Sequence, residues 1–402
     1  MKVLSAFCWL LDALVSGSMS LTRAVNIADL RRLAEKRLPR AVFDYLDGGA
    51  EDEITLAENA RVFSDYLFRP RHGVHVPEPD LSVTVMGVKM AMPALLAPIG
   101  YSRVIHPGGE LGAARAAGRQ GIGFAMSTIS GFPLEEIAAA ATAPVFLQIY
   151  LLAGRAAGER TLERAEAAGY QGLFLTIDTP VAGMRERDFR NGLRELMGND
   201  LLAKLRYLPD ILSHPRWLAG YAAAPRMKTL PNVVSPDGSH FPLTDVAKAL
   251  ETSVVTWDDL KWIRALWKGP IAVKGVLTGE DARKAHDLGA SAVVVSNHGG
   301  RQLDQVASGL AALPEVVEAV GGRMEVLMDG GIRRGADIVK ALALGAKAVM
   351  LGRGYAYGMA AAGEKGIDRA LAIFHADLVR TMKLLGCPAV SALDSSYIQK
   401  RS

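Results

Sequence analysis

Residues 271–296 read Ile271-Ala272-Val273-Lys274-Gly275-Val276-Leu277-Thr278-Gly279-Glu280-Asp281-Ala282-Arg283-Lys284-Ala285-His286-Asp287-Leu288-Gly289-Ala290-Ser291-Ala292-Val293-Val294-Val295-Ser296. Ile271–Lys274 is short, apolar and free of polar alternation, as a strand buried on both faces of a parallel sheet must be. Helix formers follow over Glu280–Leu288, Gly289 punctuates their end, and Ala292–Ser296 begins the phrase again. The same phrase runs from about residue 90 onward. Its other strands are Ala94–Pro98, Gly123–Ser127, Val145–Tyr150, Leu173–Asp178, Val326–Asp329 and Ala348–Gly352. Its other helices are Glu110–Arg119, Leu134–Ala141, Glu159–Ala168, Trp257–Trp267, Leu310–Val320, Ala336–Leu344 and Ile367–Leu385. Eight βα units in one series predict a closed eight-stranded (βα)8 TIM barrel. An open doubly wound sheet would put a glycine-rich fingerprint after its first strand, and Ala97-Pro98-Ile99-Gly100 is not one.

Two segments fall outside the repeat. Residues 21–90 form a helical amino-terminal cap, with Ile27–Lys36, Ala41–Leu46 and the acidic Glu51-Asp52-Glu53. The other is an insertion after the fourth strand, residues 191–255, far beyond the roughly 2–6 residues of an ordinary βα loop. The domain reading is therefore an extension over 1–20 and one barrel domain over 21–402. In the extension, Met1-Lys2 and the apolar Val3–Val15 resemble a weak secretory signal. Asp12 interrupts the stretch and no Ala-x-Ala site follows, so the favoured reading is a loose extension with Met19 as an alternative start.

Composition narrows the class. The 402 residues are 50% hydrophobic and 22% charged, as in an ordinary soluble enzyme. Two cysteines, Cys8 and Cys387, exclude a disulfide scaffold or a Cys-rich metal site. A net charge of +4 is too small and scattered for nucleic-acid binding. No apolar run reaches the ~18–20 residues that span a bilayer.

Barrel ligands bind at the carboxyl ends of the strands. Those ends carry Gly100, Ser127, Gln148, Tyr150, Thr176, Asp178, Lys274, Ser296, His298, Arg301, Asp329, Arg333 and Gly352-Arg353. A purely structural barrel has no need of Lys, His, Arg and Asp converging on one mouth. Asp329-Gly330-Gly331-Ile332-Arg333 and Gly352-Arg353-Gly354 follow the last two strands and read as a phosphate site, glycines admitting the ligand and arginines supplying charge. His298 offers a base near neutral pH beside Arg301, a planar fork for a carboxylate, and Arg185 follows the fourth strand in Met184-Arg185-Glu186-Arg187-Asp188.

The string Ser296-Asn297-His298-Gly299-Gly300-Arg301-Gln302-Leu303-Asp304, with Asp329-Gly330-Gly331-Ile332-Arg333-Arg334-Gly335, Val273-Lys274-Gly275-Val276 and Gln148-Ile149-Tyr150, resembles the FMN-dependent L-2-hydroxy-acid dehydrogenase and oxidase family. The resemblance spans about Ala24 to Cys387, and its membrane-associated lactate and mandelate dehydrogenases are the nearest in pattern. It implies His298 as the base that starts oxidation at the substrate Cα, with Asp178 orienting it. Arg185 and Arg301 would hold the substrate carboxylate, Tyr45 would add a hydrogen bond, and Tyr150 would meet the hydroxyl. Lys274 would sit at the flavin N1/O2 edge. Pro98, Ile99, Gly100, Ser127, Gln148, Thr176 and Ser296 would line the isoalloxazine and ribityl chain; Asp329, Gly330, Gly331, Ile332, Arg333, Gly352 and Arg353 would hold ribityl and phosphate. Hydride and carbanion routes stay open. Gly100 stands where many oxidases carry Ala, which favours a dehydrogenase, and Ile129 stands where glycolate oxidases carry Trp, which leaves room for a larger substrate.

The insertion mixes Leu, Ile, Trp217 and Tyr with Lys204, Arg206, Arg216, Arg226 and Lys228, and His214-Pro215-Arg216-Trp217 resembles the membrane-associated members. That composition suits a segment lying on an anionic membrane; a soluble lid or a disordered loop is the alternative. The expectation is a peripheral enzyme on the cytoplasmic side of the inner membrane, most simply an L-lactate dehydrogenase passing electrons to quinone or another acceptor. Gly352-x-Gly354-x-x-x-Gly358 is mis-spaced for a nicotinamide fingerprint. Rival readings are a soluble oxidase making hydrogen peroxide, a mandelate dehydrogenase, another FMN or phosphate barrel, and a binding protein. A homo-oligomer, such as a tetramer, is common among the members resembled.

Overall fold

The computed structural model describes residues 20–192, 195, 201–224, 228–235 and 237–401. Of the expected extension, residues 1–19 lie outside the described residues, as does Arg226 of the insertion. Eight parallel strands close into a barrel: β1 Ala94–Leu96, β2 Phe124–Met126, β3 Val145–Ile149, β4 Gly172–Thr176, β5 Ile271–Val276, β6 Ala292–Val295, β7 Glu325–Asp329 and β8 Ala348–Leu351. The sequence boundaries differ by one or two residues, because polar strand-end residues such as Tyr150 and Asp178 leave the ladder to line the mouth. β4 pairs with β5, Lys274 opposite Thr176, across the 94 residues of chain between Thr176 and Ile271.

Alternate strand residues separate the two faces. Leu95, Ala125, Phe146, Phe174, Ala272, Val294, Leu327 and Met350 fill the lumen, while Leu96, Phe124, Leu147, Leu173, Val273, Val293, Met328 and Val349 face the helices. Alanines make room for the Phe146 and Phe174 rings, which meet edge to face at 5.7 Å. The hairpin Val83–Val85/Val88–Met90 closes the amino-terminal end, with Val85 and Met86 in the same lumen cluster. All functional groups are thereby confined to the opposite end.

The outer helices are α1 Gly109–Arg119, α2 Leu134–Ala140, α3 Gly154–Ala167, α4 Trp257–Leu266, α5 Gly279–Asp287, α6 Gly309–Val320, α7 Gly335–Ala343 and α8 Arg353–Leu385. α8 begins well before the expected Ile367 and breaks at Ala362–Gly363, so it is two helices across a kink. The cap contributes helices Ile27–Arg37, Arg40–Asp47 and Ile54–Arg61, and Tyr66–Phe68 pairs antiparallel with Ile398–Lys400. Among the described residues no helix is long and apolar enough to cross a membrane.

The insertion divides in two. Its first part forms short helices, Leu201–Leu205, Leu208–Ser213 and Pro215–Ala223, that leave Leu202, Leu205, Leu208 and Leu212 exposed. Trp217 is not among the exposed residues: it is buried, and its Nε1 donates to the Val104 carbonyl at 2.8 Å. The returning part forms the hairpin Thr229–Val234/His240–Pro242 and the helix Val246–Thr252, whose Val246 and Ala249 pack in one cluster with Ile129, Leu152 and Leu230 over the barrel mouth.

Candidate active site

One cavity opens at the carboxyl ends of the strands, lined among others by Tyr45, Tyr150, Arg301, Gly331, Arg333 and Arg353, with Arg301 and Arg353 sharing the Gly48 carbonyl. Every expected site residue borders it except Ser296 and Asp178. Those two lie behind the wall and hold the groups in front of them. Ser296 Oγ accepts from Lys274 Nζ at 2.9 Å and from the His298 amide at 3.1 Å. Asp178 Oδ1 lies 2.9 Å from His298 Nδ1.

His298 has φ 58°, a left-handed conformation that a non-glycine residue adopts at a cost. The bonds to Ser296 and Asp178 keep it there. Burial works to raise the Asp178 carboxyl, yet the charge of His298, the bond between them and Lys274 hold it below its ordinary value. An ionised Asp178 can only accept, so Nδ1 carries the hydrogen and Nε2 is the basic atom. Among the described residues Asp178 Oδ2 has no partner of its own.

Lys274 extends from β5 to within 3.0 Å of Asp329 Oδ2. Burial would lower its ammonium, but Asp329 and Asp178 outweigh burial and keep it charged. The opposite oxygen, Asp329 Oδ1, is buried without a partner among the described residues.

Arg301 Nη1 donates to the Tyr45 and Gly48 carbonyls at 2.7 and 2.8 Å, and its guanidinium lies 4.9 Å over the Tyr45 ring. Burial, with Arg185 close by, pulls Arg301 down to about 9. Arg185 donates to the Arg301 carbonyl and to Gln302 Oε1, both at 3.3 Å. Two guanidinia side by side favour a carboxylate between them. The Tyr45 hydroxyl donates to the Gly100 carbonyl at 3.1 Å. Burial raises both Tyr45 and Tyr150, so both hydroxyls stay protonated and able to donate.

Gly331 must be glycine: φ is 77° and a Cβ would overlap the Asn59 carbonyl oxygen. Gly300 likewise brings Leu56 of the cap close, where a Cβ would stand 2.7 Å from its amide nitrogen. Arg353 donates to the Leu46, Gly299 and Gly48 carbonyls, so part of its capacity ties the cap to the mouth. Gln148 binds across the floor, Nε2 to Thr176 Oγ1 at 3.1 Å and Oε1 to the Thr128 amide at 3.2 Å.

Several residues in the site are not evident from strand-end reading. Asp304 accepts from the Ile54 and Thr55 amides and so caps a helix of the amino-terminal segment; Asn59 and Asn297 exchange two hydrogen bonds. Gln302 Nε2 donates to the Asp178 and Val181 carbonyls, bracing the loop that carries Arg185. Tyr101, Val246, Ala247 and Leu250 give the mouth an apolar wall. Asp304 and Gln302 stand in the string that carries the resemblance; the wall residues have no local signal.

The family model described as FMN-dependent dehydrogenase matches residues 34–400. The chain belongs to the FMN-dependent dehydrogenase family. It is 41% identical over 379 residues to an L-lactate dehydrogenase of Caulobacter vibrioides, covering 94% of this chain and 98% of that one. It is 40% identical over 373 residues to an L-lactate dehydrogenase of Alcaligenes faecalis, covering 92% and 97%. Among solved structures, the monotopic membrane protein (S)-mandelate dehydrogenase superposes with a TM-score of 0.86 at 39% identity, covering 94% of this chain and 100% of that one. A soluble mutant of the membrane-associated (S)-mandelate dehydrogenase from Pseudomonas putida gives 0.76 at 37% identity, covering 94% and 99%.

The cofactor of this FMN-dependent dehydrogenase is FMN, and the residues present fit it. The cavity is lined by Gln148 and Thr176 and, among the described residues, holds a buried acceptor without a partner, Asp329 Oδ1, where a ribityl hydroxyl could donate. The tight Gly330-Gly331 turn and Arg333 could take a phosphate.

Proposed function

We propose that the chain oxidises an L-2-hydroxy acid, L-lactate foremost, to the 2-oxo acid and passes the electrons to membrane quinone. The observation that carries the reading is the His298–Asp178 pair set beside Arg301 and Arg185 at one mouth. Bound FMN supplies the two-electron acceptor. The side chains do the rest. Arg301 and Arg185 take the substrate carboxylate, and Tyr45 adds a donor by turning its hydroxyl hydrogen away from the Gly100 carbonyl. Tyr150 donates to the substrate hydroxyl oxygen. His298 Nε2 takes one substrate hydrogen as a proton, that of the hydroxyl if the Cα hydrogen leaves with the electron pair, or that of Cα if the hydroxyl proton is lost afterwards, and ionised Asp178 stabilises the imidazolium that results. Lys274, kept charged by Asp329 and Asp178, offsets negative charge arising at the cofactor ring, with Pro98, Ile99, Gly100, Ser127, Gln148, Thr176 and the buttress Ser296 framing that ring. Asp329, Gly330, Gly331, Ile332, Arg333, Gly352 and Arg353 frame the ribityl and phosphate end.

A bulkier hydroxy acid such as L-mandelate is the second reading. The apolar wall of Tyr101, Ile129, Val246 and Leu250 favours it, since a lactate methyl fills little of that space.

Peripheral membrane attachment through residues 201–223 belongs to the proposal, on the cytoplasmic face. It is supported by the exposed Leu202, Leu205, Leu208 and Leu212 among basic residues, and by the greater likeness to the monotopic structure than to the soluble mutant. A homo-oligomer is part of the same reading and rests on resemblance alone. Leu202→Asp combined with Leu212→Asp should weaken binding to anionic liposomes by about a hundredfold, as expected for two leucines kept out of the bilayer. Unchanged co-sedimentation of the double variant would place the contact elsewhere.

The acceptor is tested with L-lactate in air. The protein should reduce a soluble ubiquinone analogue much faster than it consumes oxygen. Hydrogen peroxide formed at the full rate of lactate consumption would make the protein an oxidase instead.

A further inference from the structure

We infer that Arg187 is a positioning residue for the substrate carboxylate site, acting through the turn of the cap helix at residues 44–48. The inference rests on the reading of Arg301 and Arg185 as the carboxylate holders.

The Arg187 guanidinium reaches three carboxylates on the cap: Asp47 Oδ2 at 3.2 Å, Asp44 Oδ1 at 3.7 Å and Glu53 in close contact. Asp44 and Asp47 are buried. The same turn presents its carbonyls to the other arginine, since Arg301 Nη1 is held by the Tyr45 and Gly48 carbonyls. One turn of helix therefore fixes Arg301 directly through main-chain oxygens, and fixes the loop bearing Arg185 through the side chain two residues further on.

Arg185 needs that support. Its own side-chain bonds are long, both 3.3 Å, and both go to the neighbouring 301–302 segment. The loop around it leaves β4 without regular structure from Ile177 to Arg185. Among the described residues its other hydrogen bonds to the cap are the Glu51 amide to the Met184 carbonyl at 2.8 Å and Asn191 Nδ2 to Asp44. Arg187 is the charged tie. Arg31 and Tyr357 also bind Asp47, so the hub persists when Arg187 is removed and the loop alone is released. The spacing of Arg185 and Arg301 then becomes loose by a fraction of an ångström or more, and carboxylate affinity pays before the proton-transfer step does.

The test uses FMN-loaded protein and two readouts: the Kd of oxalate from the change in the oxidised flavin spectrum, and KM and kcat with L-lactate. Arg187→Met should raise the oxalate Kd and the lactate KM about ten- to hundredfold, as loss of positioning does, with FMN still bound in full. kcat should fall by less than about threefold, because the groups that move the proton are untouched. Arg187→Lys should recover part of the loss. Oxalate binding and KM within about twofold of wild type in Arg187→Met would overturn the inference, provided that Arg185→Met loses both. Wild-type oxalate binding in Arg185→Met would instead overturn the reading of the carboxylate site itself. Should Arg187→Met fail to fold, Arg187→Lys and Glu53→Gln decide: weakened oxalate binding in both supports the clamp, and unchanged binding in both overturns it.

Discussion

His298→Gln protein should purify with FMN bound and be reduced by L-lactate about 10²–10⁴-fold more slowly than wild type, the span a positioned general base contributes. Glutamine keeps a donor toward Asp178 but has no basic atom to replace Nε2. The variant should also keep its fold, because Ser296 Oγ still meets the backbone amide at position 298. The left-handed φ of 58° remains strained for glutamine as it is for histidine, so little new backbone cost arises. Stopped-flow bleaching of the flavin under nitrogen measures the effect. A reduction rate within about tenfold of wild type would remove His298 from the role of base.

Arg301→Met should lower kcat/KM for L-lactate on the order of 10²–10³-fold, about 3–4 kcal/mol, inside the roughly 2–5 kcal/mol lost when one member of a desolvated charge pair is truncated. Two effects combine. The carboxylate loses one of its two guanidinium partners, and the Tyr45 and Gly48 carbonyls lose the donor that holds the cap turn. Arg301→Lys should rescue little, since a single ammonium cannot reach both carbonyls and still present a planar fork. Steady-state kinetics decide it: a kcat/KM within about threefold of wild type in the methionine variant would mean the carboxylate binds elsewhere.

The barrel was legible because its signal is local and repeated. Uninterrupted apolar runs such as Ala292–Val295 followed by helix formers permit one architecture, and the strand ends then point at the site. His298, Lys274, Asp329 and Arg333 were legible for that reason. Tyr45 was reached only through resemblance, because its place depends on docking of the cap by Asp304 and by the Asn59–Asn297 pair, contacts that join residues more than 200 positions apart. No periodicity encodes such contacts. The insertion was legible in composition but not in division: leucines at 202 and 212 face outward while Val246 and Ala249 are buried over the mouth. The first part is the more apolar, yet it is the one whose leucines stay exposed, and only tertiary packing separates a surface helix from a lid. Trp217 illustrates the limit, since an aromatic residue in a basic apolar segment suits a membrane face yet is spent on the Val104 carbonyl. Arg187 was visible in the motif, but its role follows from three cap carboxylates that sequence alone does not bring together.

Oxidation of an L-2-hydroxy acid is expected at the mouth that holds His298 and Arg301. The most direct measurement is the anaerobic visible spectrum of the FMN-loaded protein with L-lactate, D-lactate and L-mandelate added separately. The account predicts full bleaching of the oxidised flavin band by L-lactate, none by D-lactate, and a slower or equal response to L-mandelate. A flavin that stays oxidised with every L-hydroxy acid would contradict it.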